Sequence, residues 1–166
     1  MKRVRQVYMN LTDRMSIKDY EYVESILNDE ELYLFKKILK SEQKHSVRLA
    51  KNMETALKVD CEKKDYFNKY RDILIKAALL HDVGKATARI NVFEKCILVL
   101  LNKITKGKLR NIKNKKVDCY YNHASYSYDF LKDIVDDELV LDIIKNHHCE
   151  TENDLILLFQ SIDDIS

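Results

Sequence analysis

Apolar positions recur at helical spacing along most of the chain, and no stretch alternates with the period of a strand. Ser16 is placed to cap a helix running to about Leu27, with Tyr20, Val23 and Leu27 on one face. Asp29 can cap the next, where Leu32, Phe35 and Leu39 repeat. The pattern weakens at Lys40–Ser41, which predicts a break; Ser41 then opens a helix carrying His45, Leu49 and Asn52 on one stripe. Asp65 begins a central helix in which Phe67, Ile73, Leu74, Ala77 and Ala78 lead to His81, with Gly84 as its expected left-handed stop. Residues 91–104, NVFEKCILVLLNKI, form a further apolar helix. Asp118 caps a helix to about Ile134 that holds His123, Ser127 and Phe130 on one face, and Asp136 caps a short helix ending at His147–His148. Thr151 and Asp154 form a capping-box pattern for the last helix, whose stripe is Leu155, Leu158, Phe159 and Ile162. Asp163 follows Phe159 by one turn, on the same side. Residues 1–11 read as a short first helix or a loose arm. The fold expected is all-α.

Composition agrees with this reading. A chain of 166 residues suits one domain with a real core. It is 46% hydrophobic and 34% charged, the balance of a globular rather than a disordered protein. With no proline and only two glycines, turns must be made by short polar loops between helices. The formal net charge of +2 is too small to indicate a nucleic-acid binder by itself. Residues 103–116 nevertheless carry seven basic side chains and no acidic one. Within them KGKLRNIKNKK reads as a flexible, solvated loop in preference to a nucleic-acid or anionic-membrane contact. The cysteines, Cys61, Cys96, Cys119 and Cys149, form no CxxC pair, and no apolar leader follows Met1–Lys2–Arg3, so reduced thiols and a cytoplasmic location are expected. The longest apolar run, CILVLL, is too short to span a bilayer, though its helix offers a face to a partner.

The chemistry gathers at the end of the central helix, in ILIKAALLHDVGK. A buried carboxylate is costly unless something positive holds it, so the adjacent His81–Asp82 pair asks for a cation. His45, His123, His147, His148 and Asp163 supply matching groups, and all five histidines of the chain fall in this set. A lone histidine on an apolar helix is more often a hydrogen-bonded core or surface residue than a ligand; the ordered set argues for ligation. Imidazole and carboxylate donors suit iron, manganese, zinc, nickel or magnesium, and their number exceeds one tetrahedral site. Asp82 is placed to bridge two ions, one with His45, His81 and Asp163 and the other with His123 and His147. Two metals about 3.5–4 Å apart can hold a bridging hydroxide and clamp a phosphoryl oxygen. Cys149, beside the double histidine, reads as a packing residue; Tyr120, Tyr121, Tyr126 and Tyr128 are candidates to stack a base or to join the core.

The order His…His-Asp…His…His…Asp resembles the HD-domain metal-dependent phosphohydrolase superfamily. EQKHSVRLA is similar to its first-histidine helix, AALLHDVGK to its His-Asp signature, and YNHASYSYDFL and DIIKNHHCE to the later histidine helices of six-ligand members. LLFQSIDDIS is similar to the closing aspartate segment, with Ile162 where a small residue is usual. The resemblance covers about residues 30–166, leaving 1–29 as an N-terminal helical extension. It implies an all-helical HD fold with one or two divalent metals held by His45, His81, Asp82, His123, His147 and Asp163, and by His148 as a further candidate. It implies hydrolysis of a phosphomonoester or phosphodiester in a small phosphorylated metabolite, a nucleotide first, with a metal-bound hydroxide as nucleophile. Asp82 and Lys85 are then catalytic: Lys85 would meet a substrate phosphate, with Arg48 or Arg89 as weaker candidates. Cyclic-di-nucleotide phosphodiesterases of the superfamily share the double histidine. HHCETENDL, however, lacks their GYP-type signature, and Ser41 stands where trinuclear members place a glutamate. The alternatives are a dinuclear-iron oxygenase on the same scaffold, or a metal-binding regulatory module with little turnover.

Overall fold

A computed structural model describes residues 14–60 and 62–166. Among them run nine α-helices and no strand: α1 Ile17–Glu24, α2 Asp29–Lys37, α3 Lys40–Ala56, α4 Lys64–Lys69, α5 Arg71–Leu80, α6 Val92–Ile104, α7 Lys115–Leu131, α8 Glu138–Asn146 and α9 Asp154–Asp163. Two 3₁₀ turns, Val83–Thr87 and Lys108–Asn111, connect α5 to α6 and α6 to α7. The expectation for residues 1–11 and the thiol of Cys61 lie outside the described residues.

Ser16 caps α1 as its sequence suggests, in a reciprocal box with Asp19. Asp19 also reaches across to α3, where Lys44 and Lys51 each lie 2.7 Å from its carboxylate. Burial alone would raise the pKa of Asp19, but the two ammonium groups and Ser16 outweigh it and hold the carboxyl well below the usual range. This pins α1 to α3. At the next helix Asn28, not Asp29, is the cap: its Oδ1 accepts from Glu31 N–H at 2.9 Å and Glu31 answers at 3.0 Å. The break falls at Ile38–Leu39, both extended, and α3 then starts at Lys40, with Leu39 offering no side-chain cap.

The single central helix expected from Asp65 to His81 is two helices. Tyr70 leaves helical geometry at φ −105° and ψ 17°, and its N–H reaches Phe67 O, three residues back, which closes α4 as a tight last turn. α5 and α3 pack together at the centre, contributing Leu74, Ala77, Ala78 and Leu80 from one and Val47, Leu49, Ala50 and Met53 from the other. Ile143, Ile144, Phe159 and Ile162 of α8 and α9 close this core, and Val23 and Leu27 from the N-terminal side belong to the same buried cluster.

Gly84 does not stop α5 by a left-handed turn. Among the described residues only Lys106 and Gly107 have positive φ, at 49° and 84°. Gly84 sits in the first 3₁₀ turn, pressed against the backbone of α7. A Cβ there would lie 2.2 Å from His123 O and 2.5 Å from Ser127 N, so only hydrogen fits. Ser127 fastens the contact, accepting from Gly84 N–H at 2.9 Å and donating to His81 O at 2.6 Å.

Three further caps shift by one to four residues from expectation: Asn114 caps α7 in place of Asp118, Asp137 caps α8 in place of Asp136, and Asn153 caps α9 in place of Thr151. α7 ends at Leu131, and Phe130 is half exposed rather than sharing the buried face of His123 and Ser127. The expected loose loop after α6 is folded. Leu109 in its 3₁₀ turn is buried against Leu98 and Val117 in a second, smaller cluster, while the lysines around it stay exposed.

Candidate metal centre

Three histidines are aimed by the same local device. His81, His123 and His147 each place Nδ1 against the carbonyl three residues back: Ala78 O at 3.0 Å, Tyr120 O at 3.2 Å and Ile144 O at 2.6 Å. A carbonyl can only accept, so Nδ1 carries the hydrogen and, in the neutral ring, the lone pair lies on Nε2. His81 and His147 close the C-terminal ends of α5 and α8 and His123 lies midway along α7, so three separate elements turn an Nε2 toward one volume.

Asp82 is at the middle of that volume. Its Oδ2 lies 3.1 Å from His81 Nε2 and its Oδ1 3.4 Å from His123 Nε2. His45 Nε2 is 3.0 Å from Asp163 Oδ1, which lies 4.0 Å from His81 Nε2. His148 Nε2 is 3.0 Å from His123 Nε2. The ligand atoms form three overlapping groups, each within 4.8 Å: His45, His81 and Asp163; His81, Asp82 and His147; His123, His147 and His148. The structure therefore brings all seven candidate ligands into one cluster, and the partly exposed His148 stands with His123 and His147.

Asp163 is held in place by the turn that follows it. Arg48 Nε of α3 donates to Ser166 O at 3.1 Å, and Asn52 of the same helix donates to Ser166 Oγ at 2.9 Å. Arg89 is exposed and reaches Lys37 O at 3.3 Å.

Burial sets the charge states. It pushes His123 down to about 3 and His147 well below its usual value, so both rings are neutral near pH 7. Burial also pulls on His81, but the adjacent Asp82 carboxylate, with help from Asp163, outweighs it and raises that pKa. Asp82 and Asp163 are both held low despite burial, Asp82 chiefly by His81 and Lys85 and Asp163 by His45 and His81. His123 and His147 thus stand neutral beside ionised carboxylates, the protonation states that ligate metals.

Reasoning from sequence missed Glu42. It lies on the buried face of α3, one turn before His45, and its Oε2 is 2.7 Å from Lys85 Nζ, which in turn is 2.5 Å from Asp82 Oδ2. Lys95 of α6 stands 3.6 Å from the other Glu42 oxygen. Burial would raise Glu42, but Lys85 and Lys95 draw it down to about 2. A charged residue three positions before His45 on an otherwise buried stripe was the available signal. Lys85, expected to face a substrate phosphate, has its ammonium between these two carboxylates.

An open cleft of about 440 Å³ borders the cluster, with His147, His148 and Asp163 on its wall beside Cys149, Glu150, Thr151 and Gln160. Among the described residues no lysine or arginine lines it. Cys149 is exposed there rather than packed. Of the four tyrosines, Tyr120 and Tyr121 pack on the smaller cluster, Tyr128 packs on the main core, and Tyr126 donates to Asp118.

The residues fit a divalent cation by a test internal to the structure. Asp82 Oδ1 and His147 Nε2 are fully buried and have no hydrogen-bond partner. Buried polar atoms left so are costly, and these two lie among imidazole nitrogens whose lone pairs face the same space. A cation would satisfy both acceptors together and would offset the buried carboxylate charge as well.

A family model described as HD domain matches residues 43–164. No curated protein and no solved structure matches the chain.

Proposed function

The chain belongs to the HD-domain family, whose members are generally metal-dependent hydrolases, and from that premise we propose a phosphohydrolase acting on a small phosphorylated metabolite, nucleotides first. The observation that carries the reading is the pair of partnerless buried atoms, Asp82 Oδ1 and His147 Nε2, inside a cluster of seven nitrogen and oxygen donors.

His45, His81 and Asp163 would hold a cation on one side, and His123, His147 and His148 on the other, with Asp82 between them. Bound divalent cations supply Lewis acidity for a phosphoryl oxygen and lower the pKa of a water. The chain's own contribution is orientation. Carbonyls of α5, α7 and α8 fix the rings, and Lys85 fixes Asp82. In this reading Lys85 holds a ligand rather than a substrate.

The cleft explains why a cation is needed for phosphate recognition. Glu150 and Asp163 on its wall repel a phosphate, and among the described residues no lysine or arginine lines it to compensate. Thr151 and Gln160 offer neutral hydrogen bonds to the rest of a ligand.

The test is phosphate release from a panel of nucleoside monophosphates and cyclic or linear phosphodiesters. Apoprotein is compared with protein loaded with manganese, iron, zinc, nickel or magnesium. Release by a loaded form, lost in His81→Ala and Asp82→Ala, supports the proposal. Undiminished release in chelated protein, or oxygen consumption by the iron form without phosphate release, overturns it.

A further inference from the structure

Helix α6 is apolar on the side that faces away from the protein. Phe93 is 71% exposed, Ile97 56%, Leu100 58% and Ile104 67%, with Leu101 at 39%. At about 100° per residue these five side chains fall within an arc of roughly 100°, a single stripe along the helix. The inward side is anchored separately, by Leu98 against Leu109 and Val117. The stripe is therefore not a poorly packed core face but a second apolar face that none of the described residues covers.

The stripe continues into the basic segment. Gly107 and the 3₁₀ turn bring residues 108–111 back under the end of α6, Leu109 is buried, and Ile112 is 54% exposed beside exposed lysines. Residues 103–116 carry seven basic side chains and no acid. Two are engaged locally, Lys116 with Glu94 and Arg110 over the Tyr121 ring. Lys103, Lys106, Lys108, Lys113 and Lys115 are exposed to solvent. An open depression of about 370 Å³ lies between Arg110, Lys113, Lys115 and Asp118. The Leu109 anchor makes this a fixed surface.

We propose that α6 and the basic turn after it dock on an anionic lipid surface, the apolar stripe entering the interface and the lysines meeting lipid phosphates. Charge complementarity selects this occupant. Within α6 the one acidic residue, Glu94, is already bonded to Lys116, so a second copy meeting it stripe to stripe would set this positive surface against itself. A nucleic acid would satisfy the lysines and leave the stripe in water. A bilayer of anionic lipid satisfies both, and an apolar stripe bordered by lysines is the form of helix that lies in a membrane plane. No described helix is long and apolar enough to cross a membrane, so the association is peripheral.

The experiment is co-sedimentation of the full chain with vesicles of phosphatidylcholine, alone or mixed with phosphatidylglycerol, at low and high salt. It needs neither metal nor turnover, so it is independent of the hydrolase reading. Wild type binds the mixed vesicles and binds about tenfold more weakly to neutral ones or at high salt. The double variant I97E/L100E loses binding, and Lys108→Glu with Lys113→Glu weakens it about tenfold. Ile17→Glu, at an exposed apolar position of α1, binds as wild type; circular dichroism confirms that all variants are helical. No binding to mixed vesicles overturns the proposal. So does self-association that I97E/L100E abolishes in the absence of lipid. Tight binding of single-stranded RNA that the stripe variants leave unchanged, with no vesicle binding, overturns it as well.

Discussion

Lys85 binds one oxygen of Asp82 at 2.5 Å and leaves the other buried without a hydrogen-bond partner. The carboxylate is thereby divided. Oδ2 is occupied by the ammonium and by His81, while Oδ1 faces His123 and the space between the imidazoles. Glu42 holds the ammonium from its other side at 2.7 Å, so Lys85 is itself fixed.

Replacing Lys85 with Met should therefore act through Asp82. We expect metal affinity to fall about 10–100-fold, with activity falling in parallel and KM for a phosphorylated substrate little changed once metal is saturating. Metal titration and steady-state kinetics separate this from direct contact with a substrate phosphate, which would raise KM and leave metal affinity intact.

Gly84→Ala should destabilise the fold by about 2 kcal/mol, because a methyl group meets backbone rather than a movable side chain. Since that backbone is His123 O and Ser127 N, the variant should also bind metal more weakly. Urea unfolding of apoprotein checks the first, and metal titration the second. Wild-type stability would show that the contact is not as close as described.

Gly84 also shows where the sequence stops being legible. A glycine three residues beyond the end of an apolar helix has two readings, a left-handed stop or a close approach, and the choice depends on α7, about forty residues away. The caps failed for a related reason. Asn28 and Asp29, or Asp136 and Asp137, are chemically equivalent candidates side by side, and only backbone direction decides between them. Tyr70 carries no breaker, so the split of the central helix left no mark. The ligand positions were more readable. His81, Asp82 and Asp163 end apolar stripes, where a charged group must be explained. Glu42 lies on such a stripe too, next to Ser41, the position to which the family resemblance points. The family match over residues 43–164 bears out the resemblance carried by the ordered histidines and aspartates.

Asp19 gives the clearest dependence on pH outside the metal cluster. Its folded pKa is depressed, so its contribution to stability is present above the unfolded value near 3.8 and is lost as pH falls through the folded value. Asp19→Asn should cost about 2 kcal/mol at pH 7, through the bonds to Lys44 and Lys51, and progressively less below about pH 4. Chemical unfolding at pH 7 and pH 3 measures both. An equal loss at the two values would assign the effect to helix capping alone.

Metal should also stabilise the chain, because the cluster draws its ligands from α3, α5, α7, α8 and α9 and exists only when they are packed. At a hundredfold excess over Kd one bound ion adds about 2.7 kcal/mol, enough to raise Tm by a few degrees. His147→Ala and Asp82→Asn should abolish that rise, which differential scanning calorimetry with and without manganese would register.

The most direct measurement is the metal content of the purified chain after loading and gel filtration, read by plasma mass spectrometry for wild type and for His81→Ala and Asp82→Ala. The account predicts one to two retained divalent ions per chain in wild type and a loss of at least one in each variant. A wild-type chain that emerges with no ion, or variants that retain as much as wild type, would contradict it.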